Sequence, residues 1–329
     1  MSLFVGVDGG GTGTRAVVID GDARELARAE DEGAVVTGHR PDGAAEAVRR
    51  VVKAALKKCG RSGRADVLWA GLAGAGTAAP RAAVTRALRR LELAERLVVG
   101  TDVEAAFYDA FGDGPGLLAI AGTGSIVWAR YPDGTERRVG GWGHLLGDEG
   151  SGYWIGLEGL RRLTSSEDGR TAPTAMEAPL LDACGVGTVA ETVGWVETAS
   201  KSRVASLAPH VVACADAGDE AALAIVREGV EQLVTMVKAA MSPRPAPSRE
   251  GRPEGAVASA PDGGVAVQRT TDGGVSVEVV VLWGGLVAPG GPLRVRLASA
   301  LGSLGLEVVQ VEVDPPRGAA RLARAAVGS

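Results

Sequence analysis

"LFVGVDGGGTGTRAVVIDGDARELA", Leu3 to Ala27, returns in outline as "GLLAIAGTGSIVWARYPDGTERRVGG", Gly116 to Gly141. Each stretch carries a short apolar run into a Gly-Thr-Gly turn, then a second apolar run, then an Asp-Gly turn (Asp20-Gly21 and Asp133-Gly134). Apolar runs of this length, bounded by glycine and Asp-Gly, read as strands joined by hairpins. Agreement in both motif and element order predicts an internal duplication. The expected domains are 1–114 and 115–329, with the last helix packing back on the first.

Outward from the first hairpin, "GAAEAVRRVVKAALKKCG" places apolar residues at helical spacing and ends on Gly60. "ADVLWAGLAGAG" reads as a buried strand, "AAPRAAVTRALRRLEL" as a helix, "RLVVGTD" as a strand and "VEAAFYDAFG" as a helix. This is an α/β pattern, a mixed sheet flanked by helices. After the second hairpin the chain turns helical through Met241. Ser242–Gly264, rich in Pro, Gly and charge, reads as a mobile surface insertion. "VSVEVVVLWGGL" resumes a strand ending at Gly284-Gly285, "PLRVRLASALGSLG" is a helix, "LEVVQVEV" a strand and "RGAARLARAAV" a closing helix.

Composition narrows the function classes. A length of 329 residues favours two domains. A net charge of −5 argues against nucleic acid as a partner. No run of 18 apolar residues predicts a membrane span, and "MSLFVGVDGG" lacks the basic and apolar regions of a signal peptide. Cys59, Cys184 and Cys214 form no CxxC pair and no metal spacing. A reduced, cytoplasmic compartment is expected.

Asp8-Gly9-Gly10-Gly11-Thr12 could bind phosphate. Glycines let backbone N–H groups approach phosphate oxygens, a Thr hydroxyl adds a donor, and an acid at a strand end can hold Mg²⁺ through water. It is no P-loop, since no Gly-Lys-Ser/Thr follows, and no dinucleotide fingerprint, since a strand follows rather than a helix. Alone it could be a plain β-turn. The second turn at Gly122-Thr123-Gly124 suggests two phosphate-cradling hairpins on opposite walls of a cleft. The strand end at Gly284-Gly285 offers a flat backbone surface for a nucleotide. A further segment, "GGWGHLLGDEGSGYWIG" (Gly140–Gly156), sets rings and two adjacent acids among glycines.

Taken together, "GVDGGGTGTRAVV", "GTDVEAAF", "AIAGTGSIV", "GGWGHLLGDEGSGYWIG" and "LWGGL" follow one another as in N-acetylglucosamine kinases. The chain thereby resembles the BadF/BadG/BcrA/BcrD branch of the acetate kinase–sugar kinase–Hsp70–actin superfamily. The resemblance spans nearly the whole chain except Ser242–Gly264. It implies two duplicated actin-like (ribonuclease H-like) domains with a cleft between them, ATP and Mg²⁺ as cofactors, an amino sugar as small-molecule substrate, and a homodimer as the assembly to look for.

Carried onto this sequence, the resemblance implies Asp8 near Mg²⁺. It implies ATP contacts from Gly10, Gly11, Thr12, Gly122, Thr123 and Gly124, with Gly284 and Gly285 near adenosine. Asp102 would be the catalytic base and would touch the sugar. Gly141, Trp142, Gly143 and Asp148 would line the sugar site. Glu149 joins them, because carboxylates accept hydrogen bonds from polyol hydroxyls. The family loop after the third strand commonly carries an Asn next to a sugar-contacting His; here His39 is preceded by Thr37-Gly38 with no Asn, leaving the choice of amino sugar open.

Each assignment has a plainer counterpart. Asp102 could merely cap the helix that follows it, and Asp148 and Glu149 could merely complement the dipole of a helix capped by Ser151. Trp142 and Trp154 are expected to fix the Gly140–Gly156 loop by packing. His144 and His210 are expected to be structural, and Trp69, Trp128 and Trp195 core. The leading expectation is an ATP-dependent kinase forming the 6-phosphate of N-acetylglucosamine, with glucosamine or N-acetylmuramic acid as alternative substrates. Another alternative is an ATPase that activates a 2-hydroxyacyl-CoA dehydratase or benzoyl-CoA reductase. A nucleotide-dependent regulator is a third.

Overall fold

A computed structural model of the chain describes residues 2–10, 13–32, 41–61, 63–241 and 277–327. The first hairpin pairs β1 (Phe4–Gly9) antiparallel with β2 (Gly13–Ile19), which pairs antiparallel with β3 (Glu25–Glu32). The chain then runs through α1 (Pro41–Lys58), β4 (Ala65–Leu72), α2 (Ala78–Arg89), β5 (Ala94–Gly100) and α3 (Asp102–Phe111). β4 pairs parallel with β1 and with β5, so the sheet order is β3-β2-β1-β4-β5.

The second hairpin repeats the plan. β6 (Gly116–Ala121) pairs antiparallel with β7 (Ser125–Arg130), which pairs antiparallel with β8 (Glu136–Gly140). Helices α4 (Gly152–Glu167), α5 (Glu177–Cys184), α6 (Glu191–Thr198), α7 (Lys201–Ala205), α8 (Ala208–Asp216) and α9 (Glu220–Met241) follow. Then come β9 (Val279–Trp283), α10 (Arg294–Gly302), β10 (Glu307–Val309) and α11 (Pro315–Ala325). β9 pairs parallel with β6 and with β10, giving the order β10-β9-β6-β7-β8. Both sheets thus place the opening strand between an antiparallel hairpin and a parallel strand.

The described residues fall into two compact units. One runs to Gly114 and includes the chain from Glu312 onward; the other holds the rest from Pro115. In the first unit, α1 and α2 bury Val48, Val51, Val52, Val84 and Leu88 against the Val5, Val7, Ala16 and Val18 face of the sheet. The opposite face carries Phe4, Val17, Ile19 and Trp69, covered by Ala105 of α3 and Ala319, Ala320 and Ala323 of α11. Two glycines permit this close approach. A Cβ on Gly6 would lie 2.0 Å from the Ala320 backbone nitrogen, and one on Gly318 would lie 2.1 Å from the Ala105 carbonyl oxygen. In the second unit, Leu117, Ala119, Val127, Ala129, Val280 and Leu282 of the sheet pack with Ile155, Val211, Val226 and Leu233 of the helices.

Some expectations change. The last strand shrinks to Glu307–Val309, the residues that pair with Val279–Val281. Trp69 is core, but Trp128 is only half-buried, because it alternates along β7 with the inward Val127 and Ala129. Trp195 is half-buried but packs against the core of the second unit, with its ring N–H unpartnered among the described residues and Arg203 5.1 Å from its ring. The expected insertion Ser242–Gly264 lies outside the described residues.

Candidate functional site

In the first unit the parallel register sets Asp8 of β1 level with Gly71 of β4, and Gly71 level with Gly100 of β5. The carboxyl ends of the strands therefore present Asp8, and, two residues beyond Gly100, Asp102. A Cβ on Gly100 would sit 2.3 Å from the Trp69 ring, so glycine there leaves room for the indole.

Asp102 does not cap its helix. Thr101 is the N-cap: its Oγ1 accepts from the Glu104 N–H at 3.1 Å, and the Glu104 carboxylate accepts from the Thr101 N–H at 2.7 Å. This reciprocal capping box satisfies the helix start and leaves the Asp102 carboxylate at the first helical position for other work. Burial pushes the Asp102 carboxyl up to about 6, with the charge of Asp8 adding to it, against the pull of the Val103 and Asp102 backbone N–H groups. Asp8 is 5% exposed and pairs with Arg15 Nη2 at 2.6 Å. Burial raises its carboxyl as well, outweighing the bond to Arg15.

In the second unit two glycine turns touch. Gly122 packs against Gly284 and Gly285, and the Leu286 N–H donates to the Ala121 carbonyl at 3.1 Å. Gly284 has φ +105, and a Cβ there would lie 2.6 Å from the Ala121 oxygen. The N-terminus of α4 braces the same turn: Gly152 N–H donates to the Gly122 oxygen at 2.8 Å and Tyr153 N–H to the Thr123 oxygen at 3.3 Å. Ser151 caps α4 by accepting from the Trp154 N–H at 3.2 Å.

Asp148, 3% exposed, lies under this turn with φ +63, an uncommon conformation for a non-glycine residue. Its Oδ1 accepts from the Ser125 N–H at 3.3 Å, and its Oδ2 accepts from Lys201 Nζ at 2.5 Å. A Cβ on Gly124 would stand 3.0 Å from both oxygens. Asp148 therefore answers Ser125 and Lys201 rather than the helix dipole. Ser125 Oγ donates to the Glu149 carbonyl at 2.8 Å, which ties the acidic pair to β7.

The Gly140–Gly156 loop hangs from the same strand, since Gly141 N–H donates to the Ser125 oxygen at 3.0 Å. Its tip differs from expectation. Trp142 is 60% exposed, with Arg138 5.2 Å from its ring, and Leu145 and Leu146 are 84% and 81% exposed. Trp142 therefore does not fix the loop by packing, whereas Trp154 joins the core of the unit. His144 is exposed and meets Tyr153 edge-on at 4.8 Å.

The family model described as the BadF/BadG/BcrA/BcrD ATPase family matches residues 5–245. The chain belongs to this family. A Clostridium acetobutylicum N-acetylmuramic acid/N-acetylglucosamine kinase is 28% identical over 242 residues, 73% of this chain and 79% of that one. A Dictyostelium discoideum N-acetyl-D-glucosamine kinase is 27% identical over 248 residues, 71% of this chain and 78% of that one. The solved structure of a candidate N-acetylglucosamine kinase from Chromobacterium violaceum matches with a TM-score of 0.72 and 27% identity, covering 98% of this chain and 99% of that one. The two mixed sheets are thus those of an actin-like sugar-kinase fold.

Within this BadF/BadG/BcrA/BcrD member, the expected residues form two groups. Asp8 and Asp102 sit at the carboxyl ends of β1 and β5 in the first unit, with β4 between them. Gly122, Thr123, Gly124, Gly284, Gly285, Gly141 and Asp148 gather in the second, with Trp142 and Gly143 on the exposed loop. Gly10 donates to the Gly13 oxygen at 3.0 Å and closes the first hairpin turn. Gly11, Thr12, Thr37 and His39 lie outside the described residues. Sequence reasoning missed Arg15 on Asp8 and Lys201 on Asp148. The first had a signal, because Arg15 faces Asp8 wherever β1 and β2 form a hairpin; the second, 53 residues away in sequence, had none.

Proposed function

We propose that this protein is an ATP-dependent amino-sugar kinase that phosphorylates the 6-hydroxyl of N-acetylglucosamine, with glucosamine and N-acetylmuramic acid as the competing substrates. The observation that carries it is Asp102: a carboxylate released from capping duty, at the carboxyl end of the sheet, with its proton affinity raised toward neutrality. A base titrating near 6 is ionised at pH 7 yet still able to take a proton. The names of the relatives point the same way.

In this reading Asp102 orients the sugar hydroxyl and accepts its proton as the oxygen attacks the γ-phosphorus. The bond from the γ-phosphorus to the bridging oxygen breaks, and ADP leaves. Thr123 and Gly124 supply backbone amides to the phosphates, while Gly284 and Gly285 admit the nucleoside with no side chain in the way. The open space at Gly285, where a Cβ would meet nothing within 4 Å, fits such a cradle. Gly141, Trp142, Gly143, Asp148 and Glu149 contact the sugar, and Thr37 and His39 join them. Exclusion of water by bound sugar would limit ATP hydrolysis.

Mg²⁺ would neutralise phosphate charge. Among the described residues no group of three His, Cys, Asp or Glu side chains could hold a metal ion. That fits an ion carried mainly by phosphates and water. In this reading Asp8 would meet its waters through Oδ1, since Arg15 bonds Oδ2. The activator reading finds less support, because Cys59, Cys184 and Cys214 lie on α1's C-terminal turn, α5 and α8, and burial raises the Cys184 and Cys214 thiols.

The test is a coupled ADP-release screen over N-acetylglucosamine, glucosamine, N-acetylmannosamine, N-acetylmuramic acid and glucose. N-acetylglucosamine should give the highest kcat/KM. A flat response across the panel would sink the kinase reading.

A further inference from the structure

Seven residues after Asp102, on the same helix, Asp109 is a fully buried carboxylate that Asp102's proposed role does not use. Arg317 of α11 grips it with two bonds, Nε to Oδ1 at 2.8 Å and Nη2 to Oδ2 at 2.7 Å. Arg321 adds a contact at 3.5 Å, and the backbone N–H of Asp314 donates to Oδ2 at 2.7 Å. Asp314 in turn accepts from Arg28 of β3 through both carboxylate oxygens, at 3.0 and 2.5 Å. The start of α11 is thus bound to the C-terminal half of α3 and to the sheet at once.

Polar bonds add direction to the packing here. The helices meet each other and the sheet through Ala105, Gly318, Ala319 and Ala320, small residues set over Gly6 and the Phe4, Ile19 and Trp69 face. Small helix side chains are less directional than bidentate bonds, and a buried ion pair is seldom needed for stability, since apolar replacements often do as well. Bidentate bonds from a guanidinium fork are directional. Two helical turns, about 10.5 Å of rise, separate Asp109 from Asp102, and a seven-residue step returns to nearly the same face.

We propose that Asp109 is a positioning residue: its clamp on Arg317 and Asp314 fixes the rotation and axial placement of α3, and so the position of the Asp102 carboxylate. The inference rests on Asp102 being the base. The charges facing Asp102 are Asp8 from β1 and Glu104 on its own helix, with Arg81 of α2 4.0 Å from Glu104. From α11, Arg317 and Arg321 are held at Asp109, and Asp314 acts on Asp8.

The test compares the full-length wild type with Asp109→Asn, Arg317→Lys and Arg317→Ala. Thermal unfolding, kcat, KM for sugar and for ATP, and a carbon-13 NMR titration of the Asp102 carboxyl are measured on each. Asp109→Asn should stay folded and lower kcat about 10- to 100-fold, the scale of a misplacement near 1 Å. Both KM values should hold within about twofold, and the Asp102 titration should shift. Arg317→Lys, which keeps a cation without the fork, should fall between wild type and Arg317→Ala. A folded Asp109→Asn with unchanged kcat and an unchanged Asp102 titration overturns the proposal, as does activity that declines only with the folded fraction. Should Asp109→Asn not fold, the two Arg317 variants, at a partly exposed partner, decide on the same readouts. If the wild type phosphorylates no sugar, the kinase reading fails, and the Asp102 titration still decides positioning.

Discussion

Lys201 Nζ lies 2.5 Å from Asp148 Oδ2, and the other oxygen of that carboxylate accepts the Ser125 N–H beside the Gly122–Gly124 turn. A cation on α7 thereby holds an acid that holds a glycine turn. The pair is lopsided: Asp148's side chain is 4% exposed and that of Lys201 36%. Removing the lysine strands a buried charge, whereas removing the acid leaves a cation that water can reach.

Lys201→Met should therefore destabilise the chain by about 1–3 kcal/mol, and Asp148→Asn by less. Urea unfolding midpoints, read with their slopes, check the order. The reverse order would place the cost elsewhere. In the kinase assay Asp148→Asn should raise KM for sugar more than that for ATP.

Asp102→Asn should fold as the wild type does, since Thr101 and Glu104 make the cap and Asp102 does not. Its kcat should fall by about 10²- to 10⁴-fold, the usual contribution of a general base. Circular dichroism with steady-state kinetics tests both halves, and near-normal turnover would remove Asp102 from the chemistry.

The pH response follows from the same carboxyl. Only the ionised form accepts a proton, so kcat/KM should rise tenfold per pH step below about 6 and level off above it. Stability runs the other way. The folded chain titrates Asp102 at about 6 against an ordinary 3.8, so folding favours the protonated form. That contribution is complete below about pH 4 and lost as pH rises through about 6. Asp102→Asn escapes the loss. It should be more stable than wild type at pH 8, by up to about 2 kcal/mol after allowance for partial exposure, and no more stable at pH 4.

Two glycines separate stability from nucleotide contact. Gly6→Ala should cost more than about 3 kcal/mol, because its Cβ would lie inside the α11 backbone at Ala320, where no side chain can give way. Gly284→Ala should cost about 1–3 kcal/mol in backbone strain at φ +105. It should also raise KM for ATP by pushing on the Ala121–Gly122 peptide. Thermal melts and ATP titrations distinguish the two outcomes.

The sequence by itself determined the duplicated hairpins, the mixed sheets and the catalytic candidate at the end of β5. These follow from local signals: apolar runs of strand length, glycine turns, and an acid at a strand end. It also determined that Ser151 opens α4, because capping is written in adjacent residues. Only the tertiary structure decided which distant groups each acid meets. Asp102 and Asp148 were equally legible as helix-terminal carboxylates, yet Asp102 leaves the cap to Thr101 and Glu104 and feels Asp8, while Asp148 is tied to Lys201. Asp109 was indistinguishable from any acid on a helix until α11 brought Arg317 across 208 residues of chain to meet it. Trp142 looked like a packing anchor and is exposed, with Arg138 of β8 beside its ring. Periodicity reports which face of an element is apolar, but not which distant element covers it.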